Sequence, residues 1–215
     1  MDRTLSGPGD ISEPPFSRLL FADTRTSWLW LIVRLYLGYE WITSGLTKLG
    51  SDAWTGTHAG AAITGFAKGA LAKTSGDHPD VQSWYGAFLQ NVVMPNAAVF
   101  GRLVTAGEML VGIALILGAL TGIAAFFGIT MNANYLLAGT LSTNPVLIIL
   151  GTLVVLAWRN AGWIGLDRWL LPMLGTPWQP GAAFAHSDSR RERTAGRERE
   201  RRREREGRTT LGPGS

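Results

Sequence analysis

Four apolar segments, at about 28–47, 98–118, 121–140 and 145–163, dominate this chain. A bilayer core of ~30 Å needs about 20 such residues per helix, so each segment has the length of a membrane span. Lipid offers no partner to backbone N–H and C=O groups, which leaves helices as the spanning element for segments of this length. The sequence therefore predicts an all-α fold, an integral membrane four-helix bundle. Gly118 and Gly122 bracket a turn between the second and third spans, because one uninterrupted helix there would far exceed a bilayer. Ser142, Thr143 and Asn144 followed by Pro145 mark the start of the fourth helix, with proline in the first turn.

The mean hydropathy of +0.11 averages unlike regions. Residues 1–27 read as an N-terminal segment, 28–180 as the membrane domain, and 181–215 as a polar tail. Within the domain, the 49–97 loop is too patterned for a linker. Val81, Trp84, Tyr85, Phe88, Leu89, Val92 and Val93 recur at helical spacing, and Ile63, Phe66, Ala67, Ala70 and Leu71 do so more weakly. Two short amphipathic helices on the outer face are expected. The tail holds ten arginines and five glutamates between 190 and 208, a mixture expected to be solvated and disordered. Its acid–base mixing and lack of interleaved aromatics argue against nucleic-acid binding.

Charge outside the spans sets orientation. Arg3, Arg18 and Arg25 precede the first span, and Arg159, Arg168 and the tail arginines follow the fourth, whereas the 49–97 loop holds only Lys68 and Lys73. A multi-pass protein of the cell membrane with both termini cytoplasmic is predicted. The chain has no cysteine, which excludes disulfides, thiolate metal sites and cysteine nucleophiles.

Two spans carry the same charged pattern, Arg34-Leu35-x4-Glu40 and Arg102-Leu103-x4-Glu108. Charged residues at membrane depth are functional hypotheses by default. Antiparallel packing of these spans is expected to level Arg34 with Glu108 and Glu40 with Arg102, each to within about 4.5 Å at 1.5 Å per residue. Two interhelical ion pairs are thus predicted. They either lock helix register or line a polar cavity for an anion, a quinone headgroup or a proton route. On the second reading Glu40 and Glu108 are the catalytic candidates, and Arg34 and Arg102 bind substrate or quinone. Asn132 and Asn134 in the third span, and Trp54 and His58 at the start of the outer loop, are further binding candidates. A buried amide more often bonds between helices, and a loop histidine more often bonds backbone. Lys48 reads as a snorkelling side chain. The three histidines are scattered and make no metal site, and no flavin or dinucleotide motif is present.

The run from Arg34-Leu35 to Gly45-Leu46-Thr47-Lys48-Leu49, with Gly107-Glu108 and Gly118 to Gly122, resembles the DoxX superfamily of small four-span membrane proteins. AWTGTHAGAAITGFAKGALAK (53–73), HPDVQSWYGAFLQNVVMPNAA (78–98), STNP (142–145) and AWRNAGWIGLDRWLLP (157–172) resemble its DoxD branch. That likeness covers about 28–180. It implies the large subunit of a thiosulfate:quinone oxidoreductase, oxidising thiosulfate to tetrathionate, with quinone as electron acceptor. It also implies a DoxA-like small partner subunit; a homo-oligomer is the other assembly considered. A non-catalytic membrane scaffold, recruiting soluble redox enzymes through its tail, is the alternative reading.

Overall fold

A computed structural model describes residues 14–176 and 179–182. The expected disordered Arg/Glu tail lies outside the described residues. The chain divides at Arg168 into two compact units. Beyond that residue the second unit holds the end of a helix and a two-residue antiparallel pair, Gly175 opposite Pro180 and Thr176 opposite Gln179.

The first unit is helical. Helix α1 (Pro15–Ala22) leads into α2 (Ser27–Leu49). Two helices follow in the outer loop, α3 (Ala61–Leu71) and α4 (Ser83–Phe88). Then come α5 (Ala97–Leu117), α6 (Thr121–Leu137), α7 (Asn144–Leu156) and the short α8 (Trp158–Ala161). Helix α9 (Asp167–Leu174) begins as the unit ends. The four apolar segments of the sequence fall on α2, α5, α6, and α7 with α8; among the described residues, one helical run is long and apolar enough to cross a membrane.

The outer-loop helices form as their apolar spacing predicts, with one difference. Helix α4 does not stop before α5 but passes through a π-turn at Leu89–Val93 and a 3-10 turn at Met94–Asn96. Pro95 lacks an N–H and crowds the preceding turn, and the altered winding absorbs it. By length and composition this combined run, Ser83–Leu117, qualifies to cross a membrane, whereas Asn144–Leu156 is apolar but shorter.

One buried cluster joins Trp30, Leu37 and Trp41 of α2, Val111 and Leu115 of α5, Ala124 and Ala125 of α6, and Val154 of α7. A second, with Ile63, Ala67, Tyr85, Leu89 and Ala138, sits beneath α3 and α4. Outward faces are also apolar: Ile32, Tyr39, Leu103, Leu110, Phe126, Phe127 and Ile149 are exposed. Meanwhile Arg34, Glu108, Asn132 and Asn144 are buried. Apolar outside and polar within is the pattern of helices solvated by lipid.

Glycines set the register of α2 against α5. A Cβ on Gly112 would lie 2.7 Å from the Ile42 backbone nitrogen, and one on Gly38 would lie 3.1 Å from the Gly112 carbonyl. Gly45 meets Met109 in the same way. Only hydrogens fit at these positions, so the backbones approach closely there. This register overturns both predicted ion pairs. Glu108 is level with Lys48, and Arg34 lies beside Gly118 at the far end of α5. Fourteen residues of α2 separate Arg34 from Lys48, about 21 Å at helical rise. Arg102 is exposed and Glu40 half-buried, and neither forms an ion pair among the described residues.

Arg34 is instead held by its own surroundings. Its Nη2 donates to the Ile164 carbonyl at 2.7 Å, while Nε and Nη1 have no hydrogen-bond partner among the described residues. The Asp167 carboxylate acts on it electrostatically. Asp167 also accepts from the Leu120 and Thr121 backbone N–H groups at 2.6 and 2.8 Å. Helix α5 ends on left-handed Gly118, and Leu120 is also left-handed at φ 48°. The remote carboxylate satisfies donors at the start of α6 that no local side chain caps.

Candidate functional site

The residue types that favour chemistry converge where the C-terminal turns of α2 meet the middle of α5 and the second half of α6. Glu40, Ser44 and Lys48 stand at successive intervals of four on α2, which puts them along one helix face. Lys48 Nζ donates to Ser44 Oγ at 2.6 Å and to both Glu108 carboxylate oxygens at 2.9 and 2.7 Å. Tyr135 Oη of α6 donates to Glu108 Oε1 at 2.8 Å. Glu108 is 1% exposed, so these donors replace the water it has lost. The Trp54 ring lies 5.0 Å from Lys48 Nζ, a cation–π contact at the head of the outer loop.

These groups border a polar cavity of about 310 Å³. Asn132 and Glu40 also line it, and exposed Ser142 and Thr143 contribute to its rim. Asn132 is the informative residue. It is 1% exposed, and among the described residues both its amide nitrogen and its amide oxygen lack a hydrogen-bond partner. A buried amide rarely remains unpaired, and this one lines a cavity with room for a hydrogen-bonding occupant. Among the described residues the Glu40 carboxylate forms no hydrogen bond or ion pair, and Glu40 lines the same space.

A second cavity of about 220 Å³ adjoins the first and is lined almost wholly by apolar and aromatic side chains. Trp54, Phe66 and Tyr135 border both. The Phe66 and Tyr135 rings meet edge to face at 6.0 Å.

Of the residues singled out by sequence, Glu40, Glu108, Trp54 and Asn132 share the polar cavity. Asn134 lies on the wall of the apolar one, where its backbone carbonyl accepts from Tyr85 Oη at 3.0 Å. Arg34 is at the opposite end of α2, and Arg102 faces outward. His58 is exposed on the outer loop, where its Nδ1 bonds the Asp52 carboxylate. That contact, with the Thr57 hydroxyl and N–H, holds the Asp52 carboxyl down at about 2. Sequence reasoning passed over Tyr135 as a site residue and read Lys48 as snorkelling. The repeat of four linking Glu40, Ser44 and Lys48 was the available signal for Lys48. Among the described residues, no three histidine or carboxylate side chains group as a metal site.

A family model described as DoxX matches residues 29–139, more than half of the 215-residue chain. The match covers α2 through α6, and so includes Glu40, Lys48, Glu108, Asn132 and Tyr135. No curated protein and no solved structure matches.

Proposed function

The chain belongs to the DoxX family, a membrane family, and on that premise we propose that it is a quinone-linked oxidoreductase subunit whose polar cavity receives the quinone headgroup. The observation that carries this reading is Asn132, whose unpartnered amide borders that cavity. A quinone ring presents two carbonyl acceptors, and a quinol two hydroxyl donors. Asn132 offers two N–H donors and a carbonyl acceptor, so it can bond either form.

The residues fit a neutral ring better than an anion. Two carboxylates, Glu40 and Glu108, face one cation, Lys48, whose charge is already engaged by Glu108. An added dianion meets excess negative charge, and burying it unpaired is costly. Thiosulfate remains the first donor to test, but it is oxidised away from this cavity, at a partner subunit. Two thiosulfate ions joined by a new S–S bond release two electrons, and a quinone takes up those electrons with two protons. Glu40, open to the cavity, is placed to deliver protons to the ring. Glu108, fixed by Lys48 and Tyr135, orients the polar wall.

The topology in this reading is multi-pass. Helices α2, α5, α6, and α7 continued by α8, cross the bilayer, and their exposed apolar faces meet lipid. Arg18, Arg25, Arg159 and Arg168 flank one end of these helices, a charge bias that supports a cytoplasmic side for both termini in this reading.

The test uses the full chain in lipid nanodiscs. A side-chain-free benzoquinone should bind the wild type and bind Asn132→Leu about tenfold more weakly, a loss of about 1.4 kcal/mol. Thiosulfate-dependent quinol formation is then assayed with a DoxA-like subunit added. No quinone binding by the folded wild type, with capture of soluble redox enzymes through the tail, overturns the reading in favour of the scaffold.

A further inference from the structure

The apolar cavity has no role in the headgroup chemistry, yet it shares a wall with the headgroup cavity. We propose that it is the channel for the quinone's isoprenoid side chain, which enters from the lipid past α5. This rests on the reading of the polar cavity as the headgroup site.

Continuity is the first argument. Trp54, Phe66 and Tyr135 border both spaces, so a ring beside Asn132 and a chain among the aromatic side chains belong to one molecule. Trp54 lines both spaces, and Lys48 of the polar cavity lies over its ring. The lining is the second argument. Ile63, Phe88, Leu89, Phe100 and Val104 give a hydrocarbon surface, which suits an alkene chain and offers nothing to a charged or hydroxylated ligand.

The third argument is the opening. Leu103 lines this cavity and is also 63% exposed. It shares the outward apolar face of α5 with Val99 and Leu110, which are exposed to a similar degree. A residue that lines the cavity and also faces outward marks where the cavity reaches the surface, and that surface is apolar. Entry there lets a chain leave the bilayer without crossing water. The π-turn at Leu89–Val93 places Leu89 and Val93 on the cavity wall. Such bulges reposition side chains that regular winding would stack elsewhere.

The experiment compares two quinones with one ring, one without a side chain and one with a two-isoprene chain. Each is titrated against the wild type and Val104→Phe, both as full chains in the same nanodiscs. Filling the cavity should weaken binding of the chain-bearing quinone about tenfold and leave the ring-only quinone within about twofold. If both bind and the variant alters neither, or alters both equally, the channel is overturned while the headgroup site stands. If the wild type binds neither, the headgroup reading fails first, and the channel with it. A photoreactive group at the end of the isoprene chain gives a readout that needs no variant. Labelling of Leu103, Val104 and Met131 supports the channel. Labelling confined to Leu110, Ile113 and other outward positions means that the chain lies in bulk lipid like any acyl tail, and overturns it.

Discussion

Lys48 Nζ lies 2.7 Å from Glu108 Oε2, joining the last turn of α2 to the middle of α5. The partners are unequally buried, with side-chain exposures of 15% and 1%. Removing the lysine leaves a carboxylate out of water with only Tyr135 as donor. Lys48→Met should therefore cost about 3–5 kcal/mol. Glu108→Gln should cost less, because Lys48 keeps Ser44 and reaches towards solvent. Unfolding in detergent, followed by helical circular dichroism, checks the order of the two variants. Equal losses count against the pair as drawn.

The glycine contacts between α2 and α5 give a second prediction. At Gly112 a new Cβ meets backbone, 2.7 Å from the Ile42 nitrogen, and backbone cannot turn aside. At Gly107 it meets the Met131 sulfur at 3.3 Å, the flexible end of a side chain. Gly112→Ala should lose about 1–3 kcal/mol through forced separation of the helices, and Gly107→Ala should fall within about 0.5 kcal/mol of wild type. The same unfolding assay reads both.

How much of this was legible follows from what each signal encodes. Helix positions were readable because each apolar run has the length of one helix, and α2, α5 and α6 lie within a few residues of the apolar segments. The partners of Arg34 and Glu108 were not readable from the repeated Arg-Leu-x4-Glu spacing. Spacing within one helix says nothing about how far a neighbour has slid. That slide is set by Gly38, Gly45 and Gly112, whose close approach carries α2 beyond the end of α5 to the segment around Asn160 and Ile164. Gly38 and Gly45 stand two turns apart on α2, but nothing in the sequence names the surface of α5 they meet. Asn132 was recognisable as a polar residue in a span; its lack of any partner depends on the cavity beside it and needs coordinates.

Asp167 supports a third prediction. Its carboxylate accepts from Leu120 N and Thr121 N and balances buried Arg34. Asp167→Ala removes a helix cap, about 0.5–2 kcal/mol, and leaves Arg34 without a counter-charge. Because the two residues act on one another, Arg34→Met combined with Asp167→Ala should destabilise less than the sum of the single changes. A double-mutant cycle on unfolding free energy measures the coupling; strict additivity would contradict it.

The outer loop titrates in a defined direction. Hydrogen bonds from His58 and Thr57 hold Asp52 at about 2, against about 3.9 for a free aspartate. A carboxyl held below its free value favours the ordered loop above about pH 3.9, and that contribution is lost as pH falls through about 2. Carboxyl carbon NMR should show a midpoint near the lower value in the wild type and a higher one in His58→Ala. An unchanged midpoint in the variant would remove His58 as the leading cause.

The central claim is that the cavity beside Asn132 takes a quinone headgroup. Its most direct measurement is photolabelling of the full chain in nanodiscs by a ring-substituted azidoquinone, with the modified residues mapped by mass spectrometry. The account predicts label on the segment of α6 that contains Asn132 and Tyr135, displaced by excess unlabelled quinone. Label that competitor quinone does not displace, or that gathers around Arg34 at the opposite end of α2, would contradict it.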